Sequence, residues 1–115
     1  MKPESAIQRA VIKRLTALGY IAASVPNGSV LAGDKMARVR QMASMKADGL
    51  MVGFPDLVVI GKGRVGFMEV KTPEGKLSPA QNMVRKILED QGQRWACVRS
   101  QDEAVDALKT WGWMA

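Results

Sequence analysis

Between Pro3 and Leu18 the apolar residues Ile7, Val11, Leu15 and Leu18, with Ala10, recur at helical spacing, and Gly19 ends the run. That pattern predicts an amphipathic helix packed on a sheet. Tyr20 to Val25 reads as a strand closed by the turn sequence Pro26-Asn27-Gly28. Asp34 to Asp48 reads as a helix in which Met36, Val39, Ala43 and Met45 interleave imperfectly with Lys35, Arg38, Arg40 and Lys46. Its methionines are expected to serve packing rather than a cofactor. Two short apolar runs follow, Leu57 to Ile60 and Val65 to Val70, around Gly61-Lys62-Gly63, the pattern of a β-hairpin with a tight glycine loop.

Ser78, Pro79 and Gln81 make a capping box for a helix whose apolar positions are Ala80, Val84, Ile87 and Leu88, ended by Gly92. Arg94 to Val98 is the last strand, and Ser100-Gln101-Asp102-Glu103 is a second capping box for a terminal helix through about Lys109. Val65 through Val98 therefore predicts a right-handed βαβ crossover.

A hairpin loop at Lys62-Gly63 sets the register: Ile60 faces Val65, Val58 faces Phe67, and Asp56 faces Glu69. Alternation along the strands places Asp56, Glu69 and Lys71 on one face. The opposite face carries Leu57, Val59, Met68 and Val70. With both faces largely apolar the strands are expected to be central, where charges are costly unless used or paired. Facing carboxylates destabilise a sheet, and a divalent cation is the simplest reason for them. Carboxylate oxygens suit Mg²⁺ or Mn²⁺. The alternative is that Glu69 and Lys71 form no more than a salt pair on a wet sheet.

The chain of 115 residues is expected to be one domain, residues 1–115. Its 17 basic and 11 acidic residues give a net charge of +6, which favours a polyanionic partner such as nucleic acid. Lys35, Arg38, Arg40 and Lys46 lie close to the start of the hairpin and, with Lys76, suit phosphate contacts; a solvated basic helix face is the plainer reading. There is no histidine, so any catalysis falls to carboxylates, lysine, hydroxyls and metal-bound water. The single cysteine, Cys97, excludes an internal disulfide and is expected in the core. No apolar run approaches the ~20 residues that cross a bilayer, and Met1 to Ser5 lacks the apolar core of a signal peptide. A cytoplasmic, intracellular protein with no membrane partner is therefore expected.

Asp56 followed after a hairpin by Glu69-Val70-Lys71, with Pro55 supplying the Pro-Asp pair, resembles the PD-(D/E)xK nuclease signature. Asn27-Gly28, Gly53-Phe54-Pro55-Asp56-Leu57 and the run from Glu69 to Gln81 resemble more narrowly the VRR-Nuc branch, the virus-type replication-repair nucleases, over nearly the whole chain. The resemblance implies an α/β, restriction-endonuclease-like αβββαβ core, a central mixed sheet flanked by helices, with the basic helix inserted and the terminal helix added. It implies a Mg²⁺- or Mn²⁺-dependent deoxyribonuclease in which Asp56, Glu69 and the Val70 carbonyl hold the metal. Lys71 would orient the attacking water or neutralise the transition state.

Glu4 is either an acid favoured at a positive helix end or a further carboxylate aimed at the site, and the resemblance favours the second. The capping box fully explains Gln81, yet the family carries a glutamine near its active site at this position. Asn27 is a turn residue that the family places towards substrate. The resemblance also implies structure-selective cleavage of four-way (Holliday) junctions or other branched DNA, in replication or repair. A symmetric junction needs two cuts and one chain has one site, so a homodimer is expected. Small single-domain members look like phage or prophage proteins. Trp111 and Trp113 either finish the core or form a subunit contact.

The rival reading is a non-catalytic DNA-binding module that retains the nuclease fold. Against it stands the intact set of Asp56, Glu69 and Lys71, since two carboxylates repel a phosphate backbone. An RNA-binding domain is weaker, with six aromatic residues and no stacking ladder on a strand.

Overall fold

The computed structural model describes residues 3–26 and 31–115. Eight elements follow one another in them: α1 (Pro3–Ala17), β1 (Ile21–Ser24), α2 (Lys35–Ala47), β2 (Leu57–Gly61), β3 (Arg64–Val70), α3 (Pro79–Asp90), β4 (Arg94–Val98) and α4 (Gln101–Thr110). The order is the expected one. The strands form a single mixed sheet in the order β1-β2-β3-β4. The first three are antiparallel, and β4 runs parallel to β3 across the α3 connection.

The hairpin register is the one its loop sets, with Ile60 opposite Val65 and Val58 opposite Phe67. Lys62 and Gly63 both take positive φ, 55° and 76°, as a two-residue loop matched to strand twist requires. Ser78 and Gln81 form the full capping box at α3. The box at α4 is only half built. The Ser100 hydroxyl accepts from the Glu103 N–H at 3.1 Å, but the Glu103 carboxylate accepts from the Arg99 N–H instead, at 3.0 Å.

One face of the sheet is the core. Leu57, Val59, Met68, Val70 and Val98 are wholly buried there against Val11 and Leu15 of α1 and Ala104 and Leu108 of α4. Two aromatic rings lie directly on glycines of this face. The Trp111 ring covers Gly66, where a Cβ would come within 2.5 Å of it, and the Tyr20 ring covers Gly61. The Tyr20 hydroxyl donates to the Trp113 carbonyl at 3.2 Å, and Trp111 meets Trp113 edge-on at 4.9 Å. Trp111 and Trp113 are 7% and 5% exposed, so they finish the core and have little surface left to form a subunit contact.

The second face departs from expectation. Trp95 of β4 and Glu69 of β3 are buried there beneath α3, but Ile21, Ile60 and Val65 remain 60%, 37% and 43% exposed. These three are lateral neighbours in register across β1, β2 and β3. The strands are therefore closed on one face and half open on the other.

Helix α2 departs further. Asp34 caps it, accepting from the Ala37 N–H at 2.8 Å, yet none of its residues is buried and it makes no substantial packing contact with another element. Met36 and Val39 are exposed while Met42 and Met45 are half-buried, so among the described residues the helix packs only in part and none of its methionines reaches the core. The reason is in the pattern, where cations interrupt the apolar positions and leave no continuous stripe. Two other apolar positions also miss the core: Leu18 lies beyond the end of α1, and Ile87 lies with Met83 on the flank of α3.

Candidate active site

Asp56 immediately precedes β2, where two neighbouring strands hold it. Its carbonyl accepts from the Val25 N–H at 2.8 Å, and its Oδ2 accepts from the Val70 N–H at 2.8 Å. Pro55 before it is fully buried, and Phe54 meets Phe67 edge-on with ring centroids 5.6 Å apart. The acid is thus fixed through both main chain and side chain at one end of an apolar stripe.

Among the described residues Glu69 is the charged side chain buried in the core, 2% exposed. Its Oε2 accepts from Gln81 Nε2 at 3.2 Å, while its Oε1 is buried without a hydrogen-bond partner. Gln81 Oε1 in turn accepts from the Ser78 N–H at 2.8 Å. One glutamine therefore closes the capping box and reaches the acid. Burial pushes the Glu69 carboxyl up to about 9; the neighbouring Asp56 carboxyl adds to this, the Lys71 charge opposes it, and Glu4 adds a further push. Without a cation, the two acids relieve their repulsion at neutral pH by keeping a proton on Glu69.

The donor set fits a hard divalent cation. It offers only oxygen, and the unpartnered buried Oε1 of Glu69 is a carboxylate oxygen with capacity to spare. Among the described residues no three His, Cys, Asp or Glu side chains gather into a metal-holding group. A cation here would rest on Asp56 and Glu69, with the Val70 carbonyl of the same strand and water completing its shell, as suits Mg²⁺.

Lys71 follows β3 directly, is half-buried, and its N–H donates to the Val98 carbonyl at 3.1 Å. Its charge acts on Glu69. Glu4 sits exposed in the first turn of α1, near enough for its charge to act on Glu69 but outside any ligand cluster. Asn27 lies outside the described residues. Lys35, Arg38, Arg40 and Lys46 are exposed along α2, and Lys76 is exposed on the loop entering α3. Arg38 Nη1 donates to the Gly33 carbonyl at 2.7 Å. Cys97 is half-buried beside Glu69 in the parallel register, and burial pushes its thiol up, which disfavours the reactive thiolate.

Gly53 has a positioning role that motif reading does not reveal. Its φ is +89°, and a Cβ on it would stand 2.5 Å from the main chain of Ala80. The segment leading to Asp56 thus presses backbone to backbone on the first turn of α3, next to Gln81. The glycine is visible in the sequence, but its neighbour 27 residues away is not.

A VRR-NUC domain family model matches residues 2–102. A solved structure described as a VRR_NUC domain superposes with a TM-score of 0.67 at 20% identity, covering 95% of this chain and 97% of that one. At that identity the likeness speaks for the fold. No curated protein matches the chain. With most of its length matched and the paired acids standing at the end of the hairpin, the chain belongs to the VRR-NUC family of nuclease-type, DNA-processing domains.

Proposed function

We propose that the protein is a Mg²⁺- or Mn²⁺-dependent DNA endonuclease that cuts four-way or other branched DNA during replication or repair. The observation that carries this reading is the Asp56–Glu69 pair at an apolar end of the sheet, Asp56 half-buried and Glu69 buried with one carboxylate oxygen left without a partner. A buried unsatisfied oxygen costs about 1–3 kcal/mol, and a fold that only bound DNA would gain nothing from it.

A divalent cation bound there would lower the pKa of a coordinated water and offset charge on the phosphoryl oxygens. Asp56, tied to Val25 and Val70, offers a preset ligand geometry. Gln81 holds Glu69 Oε2 and thereby leaves Oε1 for the cation. Lys71 supplies the positive charge that stabilises the pentavalent phosphorane or orients the attacking water. Glu4 contributes negative potential beside the pair. Lys35, Arg38, Arg40 and Lys46 of α2, together with Lys76 and Asn27, take phosphates away from the scissile bond, where contacts position the duplex without reading its sequence.

Two cuts in a symmetric junction require two sites, so the enzyme acts as a homodimer. The exposed row of Ile21, Ile60 and Val65 and the apolar residues of α2 offer a second copy surface of the required kind. Among the described residues no helix is long and apolar enough to cross a membrane. A DNA substrate fits a place inside a cell, and a phage or prophage origin belongs to the same reading.

The test is cleavage of labelled linear duplex, single strand, flap and four-way junction DNA with Mg²⁺ or Mn²⁺, with Asp56→Asn and Glu69→Gln run beside the wild type. Cleavage removed by both substitutions supports the reading, and the best-cut substrate names the preferred structure. Tight binding with no cleavage under any metal makes the protein a DNA-binding module that keeps the fold.

A further inference from the structure

Between Lys71 at the end of β3 and Ser78 at the cap of α3 the chain has no regular structure. It nevertheless joins two residues of the proposed site, Lys71 and Gln81. A backbone bond from the Gly75 N–H to the Thr72 carbonyl, 3.0 Å, closes a turn within it. The rest of the restraint comes from one side chain just past the end of the neighbouring strand, β4. Nη1 of Arg99 donates to the carbonyls of Thr72 and Gly75, the latter at 2.7 Å, and lies 3.3 Å from that of Pro73.

Arg99 is itself held. Its N–H donates to the Glu103 carboxylate at 3.0 Å, and it follows Val98, whose carbonyl accepts the Lys71 N–H at 3.1 Å. The end of β4 thus fixes the main chain of Lys71 through Val98 and the turn after it through Arg99. Such charge-assisted bonds to carbonyls are stronger than neutral ones, and only arginine combines a permanent charge with this reach and planar donor geometry. Without Arg99 the carbonyls of Thr72 and Gly75, both half-buried, would need other donors.

We propose that Arg99 is a positioning residue: it sets the turn from Thr72 to Gly75 and so aligns Lys71 and Gln81 with the acid pair. The proposal rests on the reading of Lys71 and Gln81 as members of a nuclease site. It places Arg99 behind that site, acting through the turn, rather than on the DNA.

The experiment compares wild type, Arg99→Ala and Arg99→Lys in two measurements. The first is amide hydrogen exchange without DNA or metal. The expected result is faster exchange at Gly75 and its neighbours in the turn for Arg99→Ala, with α1 and the core strands unchanged and Arg99→Lys intermediate. The second is cleavage of the best DNA substrate at saturating metal. Misplacing a reacting group by about 1 Å can cost about 100-fold in rate, so kcat is expected to fall roughly 10- to 100-fold in Arg99→Ala while KM for DNA stays within about twofold, and Arg99→Lys should recover part of the loss.

Unchanged exchange in the turn, or an unchanged kcat, overturns the proposal. A rise in KM matching the loss of kcat also overturns it, by making Arg99 a DNA contact. A loosened turn in Arg99→Ala beside a wild type that cuts no DNA overturns the nuclease reading and the positioning role with it, while leaving the clamp as a feature of the fold. Should Arg99→Ala fail to fold, Arg99→Lys alone decides, through the same exchange measurement and the same split between kcat and KM.

Discussion

Gln81 donates from Nε2 to Oε2 of Glu69 at 3.2 Å while its own Oε1 caps α3 through the Ser78 N–H at 2.8 Å. The two duties can be separated. Gln81→Ala loses both, and the capping loss alone costs about 1 kcal/mol. Gln81→Glu keeps an acceptor for Ser78, since glutamate serves equally in a capping box, but replaces the donor facing Glu69 with a second acid. Thermal unfolding should therefore show a lower Tm for Gln81→Ala at every pH, whereas for Gln81→Glu the loss comes from the added carboxylate beside Glu69 and should shrink as the pH is lowered and that carboxylate is protonated. Single-turnover cleavage should be slowed in both.

The proton on Glu69 gives the cation-free protein a definite pH dependence. Its folded pKa, about 9, lies above the ordinary value of 4.5, so between those values the folded chain holds a proton that the unfolded chain has released. Stability is then fullest below this window and declines as pH rises through it. Glu69→Gln removes the effect and should be more stable than wild type at pH 8 without metal. Cation binding must also expel the proton. Apparent Mg²⁺ or Mn²⁺ affinity should rise by about tenfold per pH unit below 9, and calorimetry in two buffers of different ionisation enthalpy should detect its release.

Gly53 and Gly63 both take positive φ, 89° and 76°, but only Gly53 is crowded. Alanine at Gly63 meets nothing within 4 Å and should cost only the backbone term, about 1–2 kcal/mol. Alanine at Gly53 incurs the same term and must also displace the start of α3, adding about 1–3 kcal/mol of overpacking. The cleavage assay separates them more sharply than Tm does. Gly63→Ala should cut at near wild-type rate, whereas Gly53→Ala moves Gln81 and should be strongly impaired.

The hairpin and its acid pair were legible because the information is local. Lys62-Gly63 fixes a two-residue loop, the loop fixes the register, and the register brings Asp56 to Glu69 across 13 positions of chain. The caps at Ser78 and Ser100 are likewise written in adjacent residues. What the sequence did not disclose depends on docking. The reach of Gln81 to Glu69 and the pressure of Gly53 on Ala80 exist only once α3 lies on the sheet. The same limit explains the misjudged second face: Ile60 and Val65 have the composition of covered residues, and nothing in their strands says how far α3 extends over them.

If the exposed row on that face receives a second copy, Ile60→Lys or Val65→Lys should shift the solution mass to that of a monomer with the fold intact. Trp111→Ala should behave differently. It empties a core position, at a cost of about 3–5 kcal/mol, and should appear as unfolding rather than dissociation. Light scattering beside circular dichroism distinguishes the two outcomes, and a wild type that is monomeric on junction DNA would remove the dimer from the proposed mechanism.

Helix α2 places four cations on a part of the chain that contributes nothing to the interior. Exchanging Lys35, Arg38, Arg40 or Lys46 for a neutral residue therefore falls within the roughly 0.5 kcal/mol typical of surface changes, whatever it does to DNA binding. On the proposed reading, the residues that grip the nucleic acid and those that cut it are thus free to vary independently. If α2 contacts DNA as proposed, successive substitutions along it would redirect the protein from one DNA shape to another without passing through an unstable intermediate or disturbing the acids.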